Sequence, residues 1–343
     1  MKVLLTGDLH IHNHRSDMRR LEDGLDCLRW IYETAKIAGC KYVIVAGDFL
    51  HNRFSLNSYA YSKSCSIVAE NKDIKTIFIL GNHDLFYEDR YDVHSLMSLK
   101  EWTTVVEKPT QMKLGNYQVD LLPYTPTPSK YLESDVFANP SRVLISHLSI
   151  AEALLNAKYD IRSVEDDSKK KEVLTPDALS RWEKVWLGHY HYGQKVGKNI
   201  EYIGSPMQLT YGEAGQVKHV VIYDLATLKE KYVNNDMSPK FHIIDEESQL
   251  ATIDASNSYV QMRCGNSLDS KFALRKQLSE LGAREIEFAP VKTDVSKTNK
   301  ALAKINLFFN DKNKLIEQYA KNVILPENID ADIAIKVGKS IVA

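Results

Sequence analysis

The chain has 343 residues, with 44 lysines and arginines against 45 aspartates and glutamates and a formal net charge of -1. This length favours one large domain with additions, and the balanced charge excludes a global positive field that would draw the chain to nucleic acid or to an anionic membrane. The four cysteines show no CxxC pairing, which argues against a disulfide framework or structural zinc and fits free thiols in a reducing cytoplasm.

From Val3 to Leu80 apolar runs alternate with helical patterns. Val3 to Thr6 reads as a strand; Leu21, Leu25, Leu28, Tyr32 and Ala35 have helical spacing, and Gly39 stops them. Tyr42 to Ala46, a helix near Asn57 to Glu70, and Ile74 to Leu80 follow. Such alternation predicts a sheet with helices packed on it, whose ligands lie beyond the strand carboxyl ends. After residue 100 strands dominate: Thr103–Glu107, Gln111–Leu114, Tyr117–Pro123, Arg142–Ser146, Lys184–Gly188, Glu201–Gly204, His219–Asp224 and Lys229–Val233, with a turn at Gly115-Asn116. Two sheets packed face to face are expected, with Glu165 to Glu172 as a solvated loop.

Around Pro239 the pattern changes. A strand at Tyr259–Cys264, a helix at Asp269–Leu281 and a strand at Glu285–Phe288 suggest a small unit over 240–290, after a main domain over 1–239. Residues 291–299 read as a linker, and 300–343 as helices with an uncovered apolar face. No uninterrupted apolar stretch approaches the ~18 residues of a membrane span, so a soluble cytoplasmic protein is expected.

Five blocks put a hard metal ligand at the end of an apolar run: Asp8 with His10, Asp48, Asn82 with His83 and Asp84, His147, and His189 with His191. Singly, each reads as a turn former, a helix cap or a satisfied histidine; five in order point to a metal site. Two divalent ions roughly 3.5 to 4 Å apart are what phosphodiester hydrolysis needs. Asp48 is the expected bridge, with Asp8, His10 and His191 completing one site and Asn82, His147 and His189 the other. The spacings Asp8-x-His10 and His189-x-His191 would send both side chains of each pair to one side of extended backbone. Imidazole, carboxylate and amide donors without thiolate suit manganese, iron or zinc, with manganese preferred. His83, pointing away from the ligand Asn82, is expected as the catalytic group that protonates the departing oxygen, with Asp84 orienting it.

GDLH at 7–10, GDFLH at 47–51, GNHD at 81–84, SH at 146–147 and GHYH at 188–191 resemble the calcineurin-like metallophosphoesterase superfamily. Within it, GDFLHNRFS, the Tyr202-Ile203-Gly204-Ser205-Pro206 segment and Tyr211-Gly212-Glu213 are similar to blocks of the SbcD and meiotic-recombination nucleases. The chain is compact, like bacteriophage members that form recombination endonuclease complexes. The resemblance implies an α/β (α+β) fold: a four-layer sandwich of two mixed sheets flanked by helices, a small α/β capping domain that grips DNA, and a C-terminal helical segment that docks on an SbcC-type coiled-coil ATPase. It assigns Asp8, His10, Asp48, Asn82, His147, His189 and His191 as manganese ligands, His83 as the catalytic histidine, and His51 as a second catalytic histidine supporting exonuclease cleavage. By sequence alone His51 equally caps the following loop. The chain departs from the pattern at Ile11-His12, where the family has Leu-Gly.

The expected activity is therefore a DNA exonuclease and endonuclease subunit acting on double-stranded ends and single strands without sequence preference, in the host cytoplasm if the source is a bacteriophage. Phosphate contacts are expected from Arg15, Arg19, Arg20, Arg53, Lys271, Arg275 and Lys276. Two rivals stand beside it: another phosphatase or phosphodiesterase on this scaffold, and a DNA-end tethering subunit with incidental hydrolysis. Pairing of two copies through the early helices is left open. Gly338-Lys339-Ser340 ends like a phosphate-binding loop but lacks the earlier glycine, so ATP is expected only through the partner.

Overall fold

The structure is a computed structural model that describes residues 1–156, 159–160, 171–263 and 268–289, together with Ile335. The expected linker and helical tail, and most of the Glu165–Glu172 loop, lie outside the described residues.

The chain opens as β1 (Lys2–Thr6), α1 (Met18–Ile37), β2 (Tyr42–Ala46), α2 (Ser58–Glu70) and β3 (Lys75–Ile79), the alternation its sequence predicts. A hairpin of β4 (Leu85–Tyr87) and β5 (Arg90–His94) follows, then β6 (Thr104–Val106), β7 (Thr110–Leu114), β8 (Tyr117–Leu122), the short α3 (Pro128–Leu132) and β9 (Val143–His147). A two-stranded excursion, β10 (Leu154–Asn156) and β11 (Tyr159–Asp160), precedes β12 (Lys184–Gly188), β13 (Gln194–Val196), β14 (Ile200–Tyr202), β15 (His219–Asp224) and β16 (Lys229–Asn234). Last come β17 (Lys240–Ile244), β18 (Ser258–Met262), α4 (Leu268–Glu280) and β19 (Glu285–Phe288).

Two six-stranded mixed sheets form the body, in the orders β16-β15-β1-β2-β3-β6 and β13-β14-β12-β9-β8-β7. Strand periodicity explains why they stack. Val3, Leu5, Ile44, Ala46, Ile77 and Ile79 point from the first sheet into a shared core with Val119, Leu121, Val143, Ile145 and Trp186 of the second. The intervening residues Leu4, Val43, Val45 and Phe78 face the other way and meet Leu21, Leu25, Leu28, Ile31 and Tyr32 of α1. Asp17 caps α1, accepting hydrogen bonds from the Arg19 and Arg20 amides at 3.0 and 3.3 Å, and Asn57 caps α2. The fourth layer is thin: beyond the second sheet, Phe137, Trp182 and Leu132 from short turns and α3 cover Leu144, Val185 and Leu187.

A third sheet, β17-β18-β19, is all parallel and packs α4 over its own core of Ile244, Val260, Met262, Leu274 and Leu278. Its attachment to α1 is polar. The buried Asp23 carboxylate accepts hydrogen bonds from the Tyr259 hydroxyl at 2.7 Å and from the Arg284 guanidinium. Arg20 donates to the Leu209 carbonyl at 2.7 Å with its guanidinium over the rings of Phe241 and Tyr259. Among the described residues no helix is long and apolar enough to cross a membrane.

Asp23→Ala removes the acceptor of the Tyr259 hydroxyl and the ion-pair partner of Arg284, which keeps only Asn257, so it should cost about 1 to 3 kcal/mol. Chemical denaturation should then show residues 240–289 melting at lower denaturant than the body; a single transition at the wild-type midpoint would contradict this role.

Candidate metal centre

β1, β2 and β3 run parallel, as do β9 and β12 in the other sheet, so the carboxyl ends of both sets converge at one edge of the sandwich. Contact there is unusually close. His147, ending β9, donates Nδ1–H to the Ala46 carbonyl of β2 at 2.8 Å, and a Cβ on Gly188 would collide with that same carbonyl. The His189 amide donates to both Asp8 carboxylate oxygens, at 3.0 and 3.1 Å, fastening β12 to the end of β1.

The backbone leaves the strands abruptly. Asp8, His10, Asp48 and His189 have φ of 53°, 48°, 51° and 100°, a left-handed region costly for residues other than glycine. Such strain, on the order of 1 to 3 kcal/mol per residue, persists only where the surroundings impose it. Here hydrogen bonds do so: Asp8 N–H to Gly47 O, His10 N–H to Asp48 O and Ile11 N–H to Phe49 O, each 3.0 Å. The expected extended backbone under Asp8-x-His10 and His189-x-His191 is thus corrected. The members of each pair do reach one centre, but through left-handed kinks at Asp8, His10 and His189.

Asp48 is central. Its Oδ2 lies 3.3 Å from His147 Nε2 and 3.6 Å from His10 Nε2, while Oδ1 accepts the His83 amide at 2.8 Å. On one side Asn82 Oδ1 sits 3.0 Å from both His147 Nε2 and His189 Nδ1. On the other, His10 Nε2 and His191 Nε2 are 3.0 Å apart. Two groups, Asp8–His10–His191 and Asp48–His147–His189, each have ligand atoms within 4.8 Å of one another and can hold a metal ion. A third, His10–His51–His83, meets the same distance.

The donor chemistry fits divalent cations. Asp8 and Asp48 are buried, and neither is ion-paired to a lysine or arginine among the described residues. Burial pushes the Asp48 carboxyl up, but the charge and hydrogen bond of His147, with His10 and His83, hold it well below its ordinary value. Burial pushes the His147 imidazolium down, and Asp48 overcomes this and raises it to about 9. A buried carboxylate that draws positive charge this strongly is also a good cation ligand.

His51 places Nδ1 3.2 Å from His10 Nδ1 instead of capping its loop, whose Phe54 and Ser55 amides go to Asn52 Oδ1. His83 is part-exposed and its Nδ1 meets the His51 carbonyl at 2.6 Å. The expectation that Asp84 orients His83 fails: its carboxylate accepts from the Gly81 and Leu50 amides at 2.9 and 3.3 Å, stapling two loops together. Burial and the nearby Asp48 charge raise Asp84 to about 7.

Of the expected phosphate contacts, Arg20 is taken by the third sheet. Arg53 pairs with Glu88 at 3.1 Å, Arg19 donates to the Arg284 carbonyl at 2.9 Å, and Lys271 and Arg275 lie over the Phe288 ring. Lys276 is exposed, 4.0 Å from Glu280, and the Arg15 side chain lies outside the described residues.

Residues 1–209 match the calcineurin-like phosphoesterase family, and the chain belongs to it. It is a metallophosphoesterase with the two-sheet mixed α/β fold of that family, whose members use divalent metal ions. More particularly, it is 25% identical over 243 residues to exonuclease subunit 1 of Enterobacteria phage T4, covering 69% of this chain and 68% of that one. It is 27% identical over 223 residues to the putative phosphoesterase 244L of Invertebrate iridescent virus 6, covering 62% and 72%. Among solved structures, TT1561 of Thermus thermophilus is 12% identical, covering 68% of this chain and 98% of that one, at a TM-score of 0.41.

One part of the centre escaped sequence reasoning. His191 Nδ1 meets the buried Glu213 carboxylate at 3.0 Å. Glu213 is held in turn by Lys218 Nζ at 2.8 Å, Ser205 Oγ at 3.2 Å and the Leu209 amide at 3.1 Å. Burial opposes the charge on Glu213, and the hydrogen bond from His191 with the Lys218 charge brings it down to about 2. Glu213 stood inside the Tyr211-Gly212-Glu213 segment, but without a role. A carboxylate behind a ligating imidazole fixes its tautomer and orientation, so Glu213→Gln should weaken divalent-metal binding by roughly 10- to 100-fold. Isothermal titration with Mn²⁺ measures this, and unchanged affinity would remove Glu213 from the centre.

Proposed function

We propose that the chain is a metal-dependent DNA nuclease subunit of the SbcD type, hydrolysing phosphodiester bonds with two divalent ions, manganese foremost. The observation that carries this reading is the position of Asp48 Oδ2 between His147 Nε2 and His10 Nε2, one from each donor set. Asp8, His10 and His191 would hold one ion, Asn82, His147 and His189 the other, with Asp48 shared. When bound, the pair acidifies the attacking water and neutralises charge on the phosphoryl oxygens.

The chain's own groups do the rest. The His147 Nδ1–H committed to Ala46 leaves Nε2 as the donor atom toward the centre, and Glu213 does the same for His191. His83, with Nδ1 on the His51 carbonyl, has its other ring nitrogen for the scissile phosphate and protonates the departing oxygen. His51, stacked on His83 at 5.3 Å, steers the phosphate. The likeness to the phage T4 exonuclease subunit supports DNA as substrate and a second subunit as partner. That partner is an SbcC-type coiled-coil ATPase docked on residues 300–343, with the 240–290 unit capping the DNA, in end processing during recombination, repair or replication.

With Mn²⁺ the purified protein should degrade linear DNA, and His83→Ala should lower turnover by roughly 10² to 10⁴ while binding Mn²⁺ as the wild type does. Hydrolysis of small phosphodiesters with DNA left intact would assign a different phosphodiesterase. Removing residues 300–343 should spare Mn²⁺-dependent cleavage and abolish copurification with the ATPase; stoichiometric copurification of the truncated chain would defeat that docking site.

A further inference from the structure

Three segments bring a second group of charges together beside the centre. Glu88, in the turn between β4 and β5, receives Arg53 Nη1 at 3.1 Å and Lys171 Nζ at 3.2 Å on one and the same oxygen, Oε1. Arg53 comes from the loop after His51, and the hairpin of Glu88 starts just after His83 and Asp84. The Arg53 guanidinium also lies over the Phe54 ring at 5.2 Å, and Phe54 meets Phe86 of β4 at 5.4 Å. Lys171 is placed by its neighbour: the Glu172 amide donates to the Pro126 carbonyl at 3.0 Å, and the Glu172 carboxylate accepts the Ser129 amide at 3.1 Å. Close to Pro126 in the chain, Tyr124 stacks on His189 at 6.2 Å and lies across His147 at the same distance. The cluster therefore borders the side of the centre formed by Asn82, His147 and His189.

Electrostatics agrees with that placement. Burial, with the charges of His147 and Lys171, pushes the His189 imidazole down to about 3. Burial lifts the Tyr124 hydroxyl, with Glu88 adding to the shift and Arg53 opposing it. As an ion pair the cluster is unbalanced, because a single carboxylate oxygen gathers two cations that repel each other. The other acids of the hairpin are turned elsewhere: Asp92 binds Arg90 at 2.6 and 3.0 Å, and Asp89 acts on Arg90 as well. A guanidinium has five N–H groups and an ammonium three, and one of each goes to Glu88. Arg53 and Lys171 keep 25% and 50% of their side-chain surface open, so donors remain for an entering oxyanion. No step of the hydrolysis described above uses Lys171, Glu88 or Tyr124.

We propose that Arg53 and Lys171, gathered by Glu88, form a subsite for the phosphate that adjoins the scissile one in the bound strand. The assignment rests on the nuclease reading above. Glu88 keeps the two cations together before substrate arrives, and the phosphate supplies the negative charge that one carboxylate leaves unmet. Contacts of this kind position a strand without reading its bases. They also favour a polymer over a small phosphodiester, which has no second phosphate to offer.

The test uses short single-stranded oligonucleotides with one cleavable bond, at saturating Mn²⁺. A phosphate flanking that bond is either native or replaced by an uncharged methylphosphonate, on one side in one strand and on the other side in a second. For wild-type protein one of the two replacements should lower kcat/KM about tenfold. The double variant Arg53→Gln, Lys171→Gln should cut native and replaced strands at nearly equal rates, and its log kcat/KM should fall less steeply with log salt, by about one to two in slope. Arg53→Lys, which keeps the charge, should retain most of the discrimination. Wild-type indifference to both replacements, or full discrimination by the double variant, overturns the subsite. Failure of the wild type to cut any of these strands overturns the nuclease reading instead.

Discussion

The hydrogen bond from His147 to the Ala46 carbonyl is the joint on which the centre depends, because it locks the carboxyl ends of two separate sheets together at a distance no ordinary side-chain packing would allow. Glycine makes the approach feasible: a Cβ on Gly47 would fall on the His147 ring, and one on Gly188 on the Ala46 carbonyl. Everything else follows from that spacing. Asp48 reaches a histidine of its own sheet's loops and one of the opposite sheet at once, and the His189 amide reaches Asp8.

Electrostatics then divides the centre into two kinds of group. Asp8 and Asp48 are buried beside imidazoles and require compensating positive charge, which makes their neighbourhood receptive to cations. Glu213 is buried with its charge met by Lys218, Ser205 and His191, and Asp84 is buried with two backbone amides as its partners and no cation beside it. Glu213, paired with a lysine, and Asp84, held by backbone amides, are supports, whereas Asp8 and Asp48 each keep one backbone amide and otherwise face imidazoles, which leaves them open to a cation.

Much of this was legible because each of the five ligand blocks is local to one strand end, and a strand's apolar run announces where it stops. The alternation of β1 to β3 with α1 and α2 was equally plain. What stayed hidden has physical reasons. β4 and β5 are largely exposed, so no period-two pattern marks them. The left-handed turns at Asp8, His10 and Asp48 have no glycine to signal them, since the conformation is imposed by hydrogen bonds between two distant loops. The link from Glu213 to His191 spans 22 residues and exists only once Lys218 and Ser205 are in place. Arg20, read as a phosphate contact, proved to be a fastening between α1 and the third sheet, a role that composition and spacing do not distinguish from a solvated cation.

The span of the chain over which the centre is recruited has a consequence for biosynthesis. Asp8 and His189 are 181 residues apart, as are His10 and His191, and Glu213 lies further still. Contacts of such separation close late, after loop-closure entropy has been met by the rest of the body. A nascent chain therefore displays scattered histidines and carboxylates but no assembled centre until both sheets have emerged from the ribosome and docked, so incompletely synthesised protein has no place to gather the metal ions that a phosphoesterase uses.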